Sequence, residues 1–160
     1  MKRARAFTLV EILIVVVILG ILAAIVIPQF TEASTEAKLS SLCSDLQTTR
    51  SELELYKVQH NDVLPLPEAG GATWNKMTQY SDIDGNINGT KTQVFCYGPY
   101  LQKVPVNQFN NLTTVRVEAG GSTAGANTHG WTLQSDTGAF QADDNYDQNR
   151  DGVGGDHAIL

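Results

Sequence analysis

The apolar residues of this 160-residue chain are concentrated in one long run near the N-terminus. From Ile12 to Ile27 every residue is apolar apart from Gly20. With its flanks the run covers 7–27, which at about 1.5 Å per residue is long enough for a helix to cross a bilayer core of about 30 Å. The pattern therefore predicts a membrane-spanning helix at the start of the chain.

A second pattern follows Pro28. Apolar residues there recur at intervals of three, four and seven positions, which indicates an amphipathic helix with one apolar stripe. The stripe consists of Leu39, Leu42, Cys43, Leu46, Leu53 and Tyr56. Proline kinks a helix or loosens its preceding turn rather than always ending it, and no strong breaker lies between Gln29 and His60. We therefore predict a single long helix over about 7–60.

The end of this helix is predicted at His60-Asn61-Asp62, because Pro65 and Pro67 follow closely and favour an exit. These boundaries divide the chain into a short charged leader at 1–6, a transmembrane helix at 7–28, an amphipathic helix at 29–61 and a globular domain at 62–160.

The globular domain is polar and rich in Gly, Asn, Thr and Asp, so its core is small. We predict an irregular loop over 62–93, with a short helix near Trp74–Tyr80, followed by short strands. The strand candidates are Gln93–Tyr97, Thr114–Glu118, Trp131–Gln134 and Ala139–Gln141. The sequence SDTG before the last strand favours a hairpin turn, with Gly138 free to adopt positive φ. The expected fold class is α+β, a long N-terminal helix packed on a small antiparallel sheet.

The core of this domain is predicted to form between the apolar stripe and the last two strands. The side chains expected to meet there are Leu39, Leu42, Cys43, Leu46 and Leu53 from the helix and Trp131, Leu133 and Phe140 from the sheet.

Charge is distributed unevenly around the apolar run. Of the 11 Lys and Arg residues, Lys2, Arg3 and Arg5 precede it, and of the 17 acidic residues all but Glu11 follow it. An acidic body without a basic stripe argues against nucleic acid as a partner. The basic start marks the cytoplasmic side of a membrane, so the long C-terminal part is expected outside the inner membrane.

Glu11 is the unexplained residue of the run. An ionised carboxylate costs a few kcal/mol inside a bilayer, so it needs a partner, and an ordinary membrane anchor would not supply one. A secretory signal peptide would be cut after small residues such as Ala23-Ala24, but here the apolar run continues past them.

The stretch A-FTLVEILIVVVILGILAAIVIPQF resembles the N-terminus of type IV pilins and type II secretion pseudopilins. The resemblance implies that a prepilin peptidase cuts between Ala6 and Phe7 and that the new amine of Phe7 is N-methylated. Most family members have Gly before the cut, where this chain has Ala. Thr8, Leu9, Val10 and Glu11 match the family's F-T-L-x-E pattern, and Pro28 matches its helix-disrupting proline.

The cut would create a positive amine four residues from Glu11. The resemblance implies that the Glu11 carboxylate of one subunit binds the Phe7 amine of a neighbour, which would fix the register of a filament because any other register leaves both charges unpaired. The alternatives are a bond from Glu11 to its own amine and a favourable position at the positive end of the helix.

A second stretch, GPYLQKVPVNQFNN over 98–111, resembles the major pseudopilins of type II secretion, with Gln108 in place of the family's second proline. Apart from the resemblance, these residues are interpreted as a Pro-bounded loop that packs Tyr100 and Leu101 inward. The resemblance implies a structural subunit that is anchored once in the inner membrane, with its C-terminal domain in the periplasm, and that forms a periplasmic filament. The implied partners are further copies of the chain, minor pseudopilins, the prepilin peptidase, and the inner-membrane platform with its assembly ATPase.

Two alternatives to this function remain open. One is a pilin of a type IV surface pilus that serves adhesion, motility or DNA uptake. The other is a membrane-anchored calcium-binding or catalytic periplasmic domain that never polymerises. An enzyme is not expected, because the three His residues are scattered and no nucleophile motif such as GxSxG is present.

The acidic tail offers a calcium site. Asp147, Asn149 and Asp151 present oxygen ligands at alternate positions, and a glycine follows as in calcium loops. The Val153 carbonyl would come next, and Asp156 would replace the Glu of the usual loop, whose position is occupied by Ala158. The family's calcium loop near the C-terminus supports Ca²⁺ here, and the alternative is a solvated tail. A weaker match beginning at Asp84-x-Asn86 is interpreted as an Asn/Gly turn.

The chain has two cysteines, Cys43 and Cys96, without a CxxC motif. In an oxidising compartment they could form a disulfide that ties the helix to the later domain. Two buried thiols are the alternative, and the sequence does not decide between them because pairing depends on distance.

Overall fold

The computed structural model describes residues 7–67, 74–119 and 127–144, and leaves the side chains of residues 28, 31 and 32 undescribed. The chain divides into two compact units, Met1–Lys38 and Leu39–Leu160, which we describe separately. The predicted leader at 1–6 and the tail beyond residue 144 lie outside the described residues.

The long helix predicted from the hydrophobic pattern is confirmed. Helix α1 runs from Leu9 to Gln59 over 51 residues, and its helical backbone passes through position 28, so Pro28 does not end it. By its length and composition, the segment Leu9–Ile27 of the first unit could cross a membrane, and its mean hydropathy is 3.3.

Helix α1 ends where the sequence predicts. Asn61 and Asp62 adopt positive φ values of 53° and 64°, and the Asp62 N–H donates to the Lys57 carbonyl at 2.9 Å. His60 turns inward and is buried, with its ring stacked on Tyr56 at a centroid distance of 3.8 Å. The end of the helix is thus fixed by a backbone reversal and by a buried ring.

The segment predicted as an irregular loop contains regular structure. Helix α2 spans Asn75–Thr78, and strands β1 (Tyr80–Ser81) and β2 (Ile87–Asn88) pair in antiparallel fashion. The predicted short helix is therefore confirmed, whereas the absence of strands before residue 93 is corrected. In the turn between β1 and β2, Asp82 Oδ1 accepts hydrogen bonds from the backbone N–H groups of Asp84 and Asn86 at 3.0 and 2.9 Å.

The second sheet is mixed. It consists of β3 (Val115–Glu118), β4 (Trp131–Gln134) and β5 (Phe140–Ala142), in that order. Strands β4 and β5 form the predicted hairpin, with Gly138 at φ 74°, but β3 and β4 are parallel. The α+β class is confirmed, and the wholly antiparallel sheet is corrected, because the connection from β3 to β4 is a crossover rather than a tight turn.

The predicted strand Gln93–Tyr97 does not form. Tyr97 makes only an isolated antiparallel bridge to Ser81, and the residues before it turn back through a hydrogen bond from the Thr92 N–H to the Phe95 carbonyl at 3.1 Å. This turn leaves Val94 64% exposed.

The core of the second unit joins the predicted stripe to the mixed sheet. Its fully buried members include Leu42, Leu46, Leu53 and Tyr56 from α1 and Trp131, Leu133 and Phe140 from the sheet. Phe140 stacks against Trp74 at 5.5 Å and against Trp131 at 5.2 Å. Leu39 is only partly buried and Cys43 is exposed, so the expectation that Cys43 faces the core is wrong.

We expect Phe140→Ala to destabilise the fold by about 3–5 kcal/mol, because it empties the space between two stacked indole rings. Val58→Ala is the matched control: Val58 is 82% exposed on α1, and its truncation should change stability by no more than about 0.5 kcal/mol. Denaturant unfolding of the full chain in detergent, followed by tryptophan fluorescence, measures both. Equal effects of the two substitutions would contradict this account of the core.

Candidate functional site

The first turn of α1 carries a reciprocal set of hydrogen bonds between Thr8 and Glu11. The Thr8 backbone N–H and the Thr8 hydroxyl both donate to Glu11 Oε2, at 2.8 and 2.9 Å. The Glu11 backbone N–H donates to Thr8 Oγ1 at 3.2 Å. Thr8 stands just before the first helical residue and Glu11 three positions later, which is the arrangement of a capping box.

This capping box identifies one partner of the Glu11 carboxylate. The first N–H groups of a helix lack partners within it, and here the Thr8 hydroxyl and the carboxylate satisfy two donors at the helix start. Glu11 thus occupies the positive end of the helix, one of the two alternatives left open by the sequence, and its intrachain partner there is Thr8. This bond was not predicted, although its signal, T-x-x-E before an apolar run, is present in T-L-V-E.

The other predicted residues of this site are placed as follows. Phe7 lies directly before the capping box with 81% of its surface exposed. Ala6 lies outside the described residues, and the side chain of Pro28 is not described. The binding of Glu11 to an amine of a neighbouring subunit stays a prediction.

Beyond the capping box, the first unit exposes apolar side chains on every face of the helix. From Phe7 to Ile27 the large apolar residues are between 42% and 81% exposed. A helix that is apolar all round requires burial in a membrane or among other helices. Within the described residues of the first unit, nothing but this helix is available to cover it.

The predicted calcium ligands Asp147, Asn149, Asp151, Val153 and Asp156 lie outside the described residues. Among the residues that the structure describes, no group of three or more His, Cys, Asp or Glu side chains could hold a metal ion. The middle loop forms an Asx-type turn at Asp82, whose Oδ1 accepts backbone N–H groups, and Gly85 adopts φ 79°. In the weaker calcium match, interpreted from the sequence as an Asn/Gly turn, Asn88 belongs to β2 and its Oδ1 accepts a hydrogen bond from the Thr90 N–H at 2.9 Å.

The chain just before the acidic tail is held by buried polar side chains. Asp143 is fully buried and forms a salt bridge with Arg116 at 3.3 Å. Asp144 is also buried and accepts a hydrogen bond at 2.9 Å from the amide of Asn107, which donates at the same distance to the Gly130 carbonyl. None of these four side chains was predicted to stabilise the fold, because polar residues carry no periodic signal of burial.

The stretch 98–111 builds the fold, as interpreted from the sequence. Tyr100 and Leu101 are buried, and the Tyr100 hydroxyl donates to Gln59 Oε1 at 2.6 Å. Burial raises the pKa of Tyr100 to about 12, and likewise that of Tyr56, so both hydroxyls stay protonated at neutral pH. The loop is thus tied to the last turn of α1.

Cys43 and Cys96 are free thiols, and both are exposed. The alternative of two buried thiols is therefore wrong, and no disulfide links them in the structure.

Comparison with known proteins identifies the family of the chain. Residues 1–27 match the family described as the prokaryotic N-terminal methylation motif. The type II secretion system core protein G of Pseudomonas aeruginosa is 33% identical over 110 residues, which cover 69% of this chain and 71% of that protein. The chain belongs to this core protein G family. The protein of the same name from Dickeya chrysanthemi is 40% identical over 78 residues, 48% of this chain and 50% of the relative.

A relative with another name is also similar. The type IV narrow pilus major component PilA5 of Thermus thermophilus is 32% identical over 95 residues, which cover 54% of this chain and 82% of that protein. No solved structure matches the chain. The resemblance inferred from the N-terminal motif and from the stretch 98–111 is thus confirmed at the level of the core protein G family.

We expect Thr8→Ala to loosen the first turn of α1, because it removes both hydrogen bonds made by the hydroxyl. A lost N-cap costs about 0.5–2 kcal/mol, so the Glu11 and Ile12 amides should exchange with solvent roughly 2- to 30-fold faster. Hydrogen exchange of the full chain in detergent micelles measures this. Thr8→Ser keeps the hydroxyl and should exchange like the parent, whereas equal exchange in the Ala and Ser variants would show that the cap contributes nothing.

Proposed function

We propose that the chain is the major structural subunit of a type II secretion pseudopilus. The observation that carries this proposal is the first unit itself, an apolar helix exposed on all sides with one carboxylate in its first turn. Such a helix suits two successive environments, the lipid of the inner membrane and the packed helices of a filament. Membership of the core protein G family supports the same function.

Processing supplies the positive charge with which the Glu11 carboxylate can pair. In this proposal the prepilin peptidase cuts between Ala6 and Phe7 and leaves an amine on Phe7, which is then methylated. Inside a filament of apolar helices the new amine requires a counter-charge, and the Glu11 carboxylate of a neighbouring subunit provides it. Only one register brings amine and carboxylate together, so the pair selects the helical arrangement.

The capping box gives the Glu11 carboxylate hydrogen-bond partners before assembly. Before assembly its Oε2 is held by two donors of Thr8, so the carboxylate is oriented and partly neutralised at the helix start. A carboxylate has about four acceptor sites on its two oxygens, so an incoming amine can bind without first displacing Thr8. Assembly would then add a partner to Glu11 rather than leave any donor of the helix start unpaired.

The remaining partners follow from the same proposal. The basic leader stays in the cytoplasm, and the second unit, Leu39–Leu160, projects into the periplasm. Minor pseudopilins, the inner-membrane platform and its assembly ATPase are the further partners. In this proposal the assembly ATPase supplies the energy for polymerisation.

A surface pilus is the second candidate function. It is favoured by the similarity to the narrow pilus component of Thermus thermophilus, which this chain matches over 82% of that protein's length. Filaments that stay in the periplasm at native expression support the pseudopilus, and long surface fibres support the pilus. A cleaved, methylated and polymerised chain excludes the third candidate, an anchored calcium-binding domain that never assembles.

We expect Glu11→Ala and Glu11→Gln to abolish filament formation by the full chain, as judged by electron microscopy of cells that express the secretion machinery. The two variants separate charge from capping. Gln can still accept the hydrogen bonds of the capping box but cannot neutralise an amine. Retained protection of the first-turn amides in Glu11→Gln, together with absent filaments, would assign the defect to the missing charge.

Mass spectrometry of the mature N-terminus is the control for this experiment. Both variants should begin with N-methyl-Phe7, so that a defect in filaments is not a defect in processing. Normal filaments in Glu11→Gln would contradict the pairing of Glu11 with an amine. A retained leader, or a cut after Ala23 or Ala24, in the parent chain would contradict the proposed function as a whole.

We further propose that the acidic tail binds Ca²⁺ through Asp147, Asn149 and Asp151, with the Val153 carbonyl and Asp156 as additional ligands. The donor set supports this assignment, because carboxylate, amide and main-chain oxygens are the ligands that Ca²⁺ prefers. When bound, the ion would neutralise the carboxylates of the tail. The chain's own contribution is to present these oxygens directly after the buried Asp143 and Asp144.

EDTA is expected to lower the melting temperature of the full chain in detergent, and excess Ca²⁺ to restore it. A ligand at about 100 times its Kd stabilises by about 2.7 kcal/mol, which corresponds to roughly 5–10 °C for a chain of this size. The double variant Asp147→Asn, Asp151→Asn should melt at one temperature with or without Ca²⁺. If EDTA does not shift the melting of the parent chain, the tail is a solvated acidic segment.

A further inference from the structure

The two cysteines of the second unit lie at different positions along the axis of α1. Cys43 is on the α1 segment that begins this unit, and Cys96 belongs to the chain that runs beside the end of α1. Three contacts fix the latter position. Next to Cys96, the Tyr97 backbone pairs with Ser81 and the Tyr97 ring lies 5.4 Å from the His60 ring, while the Tyr100 hydroxyl binds Gln59 at 2.6 Å.

This placement excludes a disulfide within the folded chain. Gln59 follows Cys43 by 16 helical residues, a length of about 24 Å at 1.5 Å per residue. A disulfide requires Cα atoms within about 7 Å of each other. The contacts of Tyr97 and Tyr100 hold Cys96 near the far end of that length, so the intrachain bond considered from the sequence would require the second unit to unfold.

Both thiols are nevertheless accessible to another protein. Cys43 lies beside the buried line formed by Leu42 and Leu46, and the positions one turn before and after it, Ser40 and Gln47, are exposed as well. Close to Cys96, the apolar side chain of Val94 is 64% exposed. Burial of this apolar surface would favour contact with a second chain at the Cys96 end.

We propose that Cys43 of one copy forms a disulfide with Cys96 of a neighbouring copy in the assembled filament. The inference rests on the proposed function, since it needs polymerisation and an oxidising compartment. Successive copies of a helical polymer meet through two different surfaces, whereas a bond between two copies of the same cysteine is typical of a two-fold dimer. A bond between the two different cysteines can repeat from copy to copy.

The chemistry of this cross-link balances with one oxidant. The thiols of Cys43 and Cys96 lose two protons and two electrons as their sulfur–sulfur bond forms. A disulfide-bearing thiol oxidant, the class that keeps such compartments oxidising, accepts the two electrons and two protons and becomes a dithiol. The bond requires that the two joined copies be displaced along the axis of α1, so that Cys43 of one copy lies beside Cys96 of the other.

Non-reducing electrophoresis of the full chain tests the proposal. Filaments are sheared from cells, free thiols are blocked with N-ethylmaleimide, and the sample is run with and without dithiothreitol. The expected result for the parent chain is a ladder of multiples of one subunit that collapses to a single band on reduction. Cys43→Ser alone and Cys96→Ser alone should each give monomer only, and co-expression of these two variants should give a dimer and nothing larger.

Four results would overturn the proposal. Filaments without the ladder would remove the cross-link and leave the proposed function intact. Dimers in either single variant by itself would show pairing of identical cysteines, and a monomer that resists alkylation would show an intrachain bond. Parent cells without any filament by electron microscopy would contradict the proposed function, and the cross-link with it. Filaments of both serine variants, seen by the same microscopy, show that assembly precedes the bond.

Discussion

An apolar helix whose side chains stay exposed in the described part of the chain is the constraint on which the rest of the molecule depends. Large apolar side chains from Phe7 to Ile27 stay at least 42% exposed, although residues of this type usually drive folding by burial. The free energy of burying them is therefore still available when the second unit has folded. Lipid can take this surface first and further copies of the same helix afterwards, which is why one segment can serve as both anchor and assembly interface.

A single carboxylate in such a segment is tolerated only with partners, and the capping box explains how Glu11 has one at every stage. In the isolated chain, Thr8 supplies two donors to Glu11 Oε2. In the proposed filament, an incoming amine would add a charge that Thr8 cannot supply, so electrostatics would favour the neighbour without leaving the first turn of the helix uncapped. The two residues that start the helix would then also prepare the proposed contact between copies.

Local patterns in the sequence predicted the elements that span several residues. The stripe from Leu42 to Tyr56 and the hairpin turn at Gly138 were recognised because their spacing reflects helix and strand periods. Strands β1 and β2 have two residues each and carry no period. Parallel pairing of β3 with β4 depends on a crossover rather than on local residues. Cys43 fitted the stripe by spacing, but the adjacent Leu42 occupies the buried line instead.

The burial of polar residues could not be predicted from sequence patterns, yet these residues determine where the acidic tail begins. Arg116 and Asn107 already bind Asp143 and Asp144, so these two carboxylates serve the fold. A cation further along the chain must therefore take its ligands from residues after 144, which is where the alternating Asp and Asn oxygens stand. Because Asp143 and Asp144 directly follow β5, a cation bound further along the chain, as proposed, would act on the sheet through a short connection. Calcium binding and the stability of the second unit would then be coupled through these two adjacent residues.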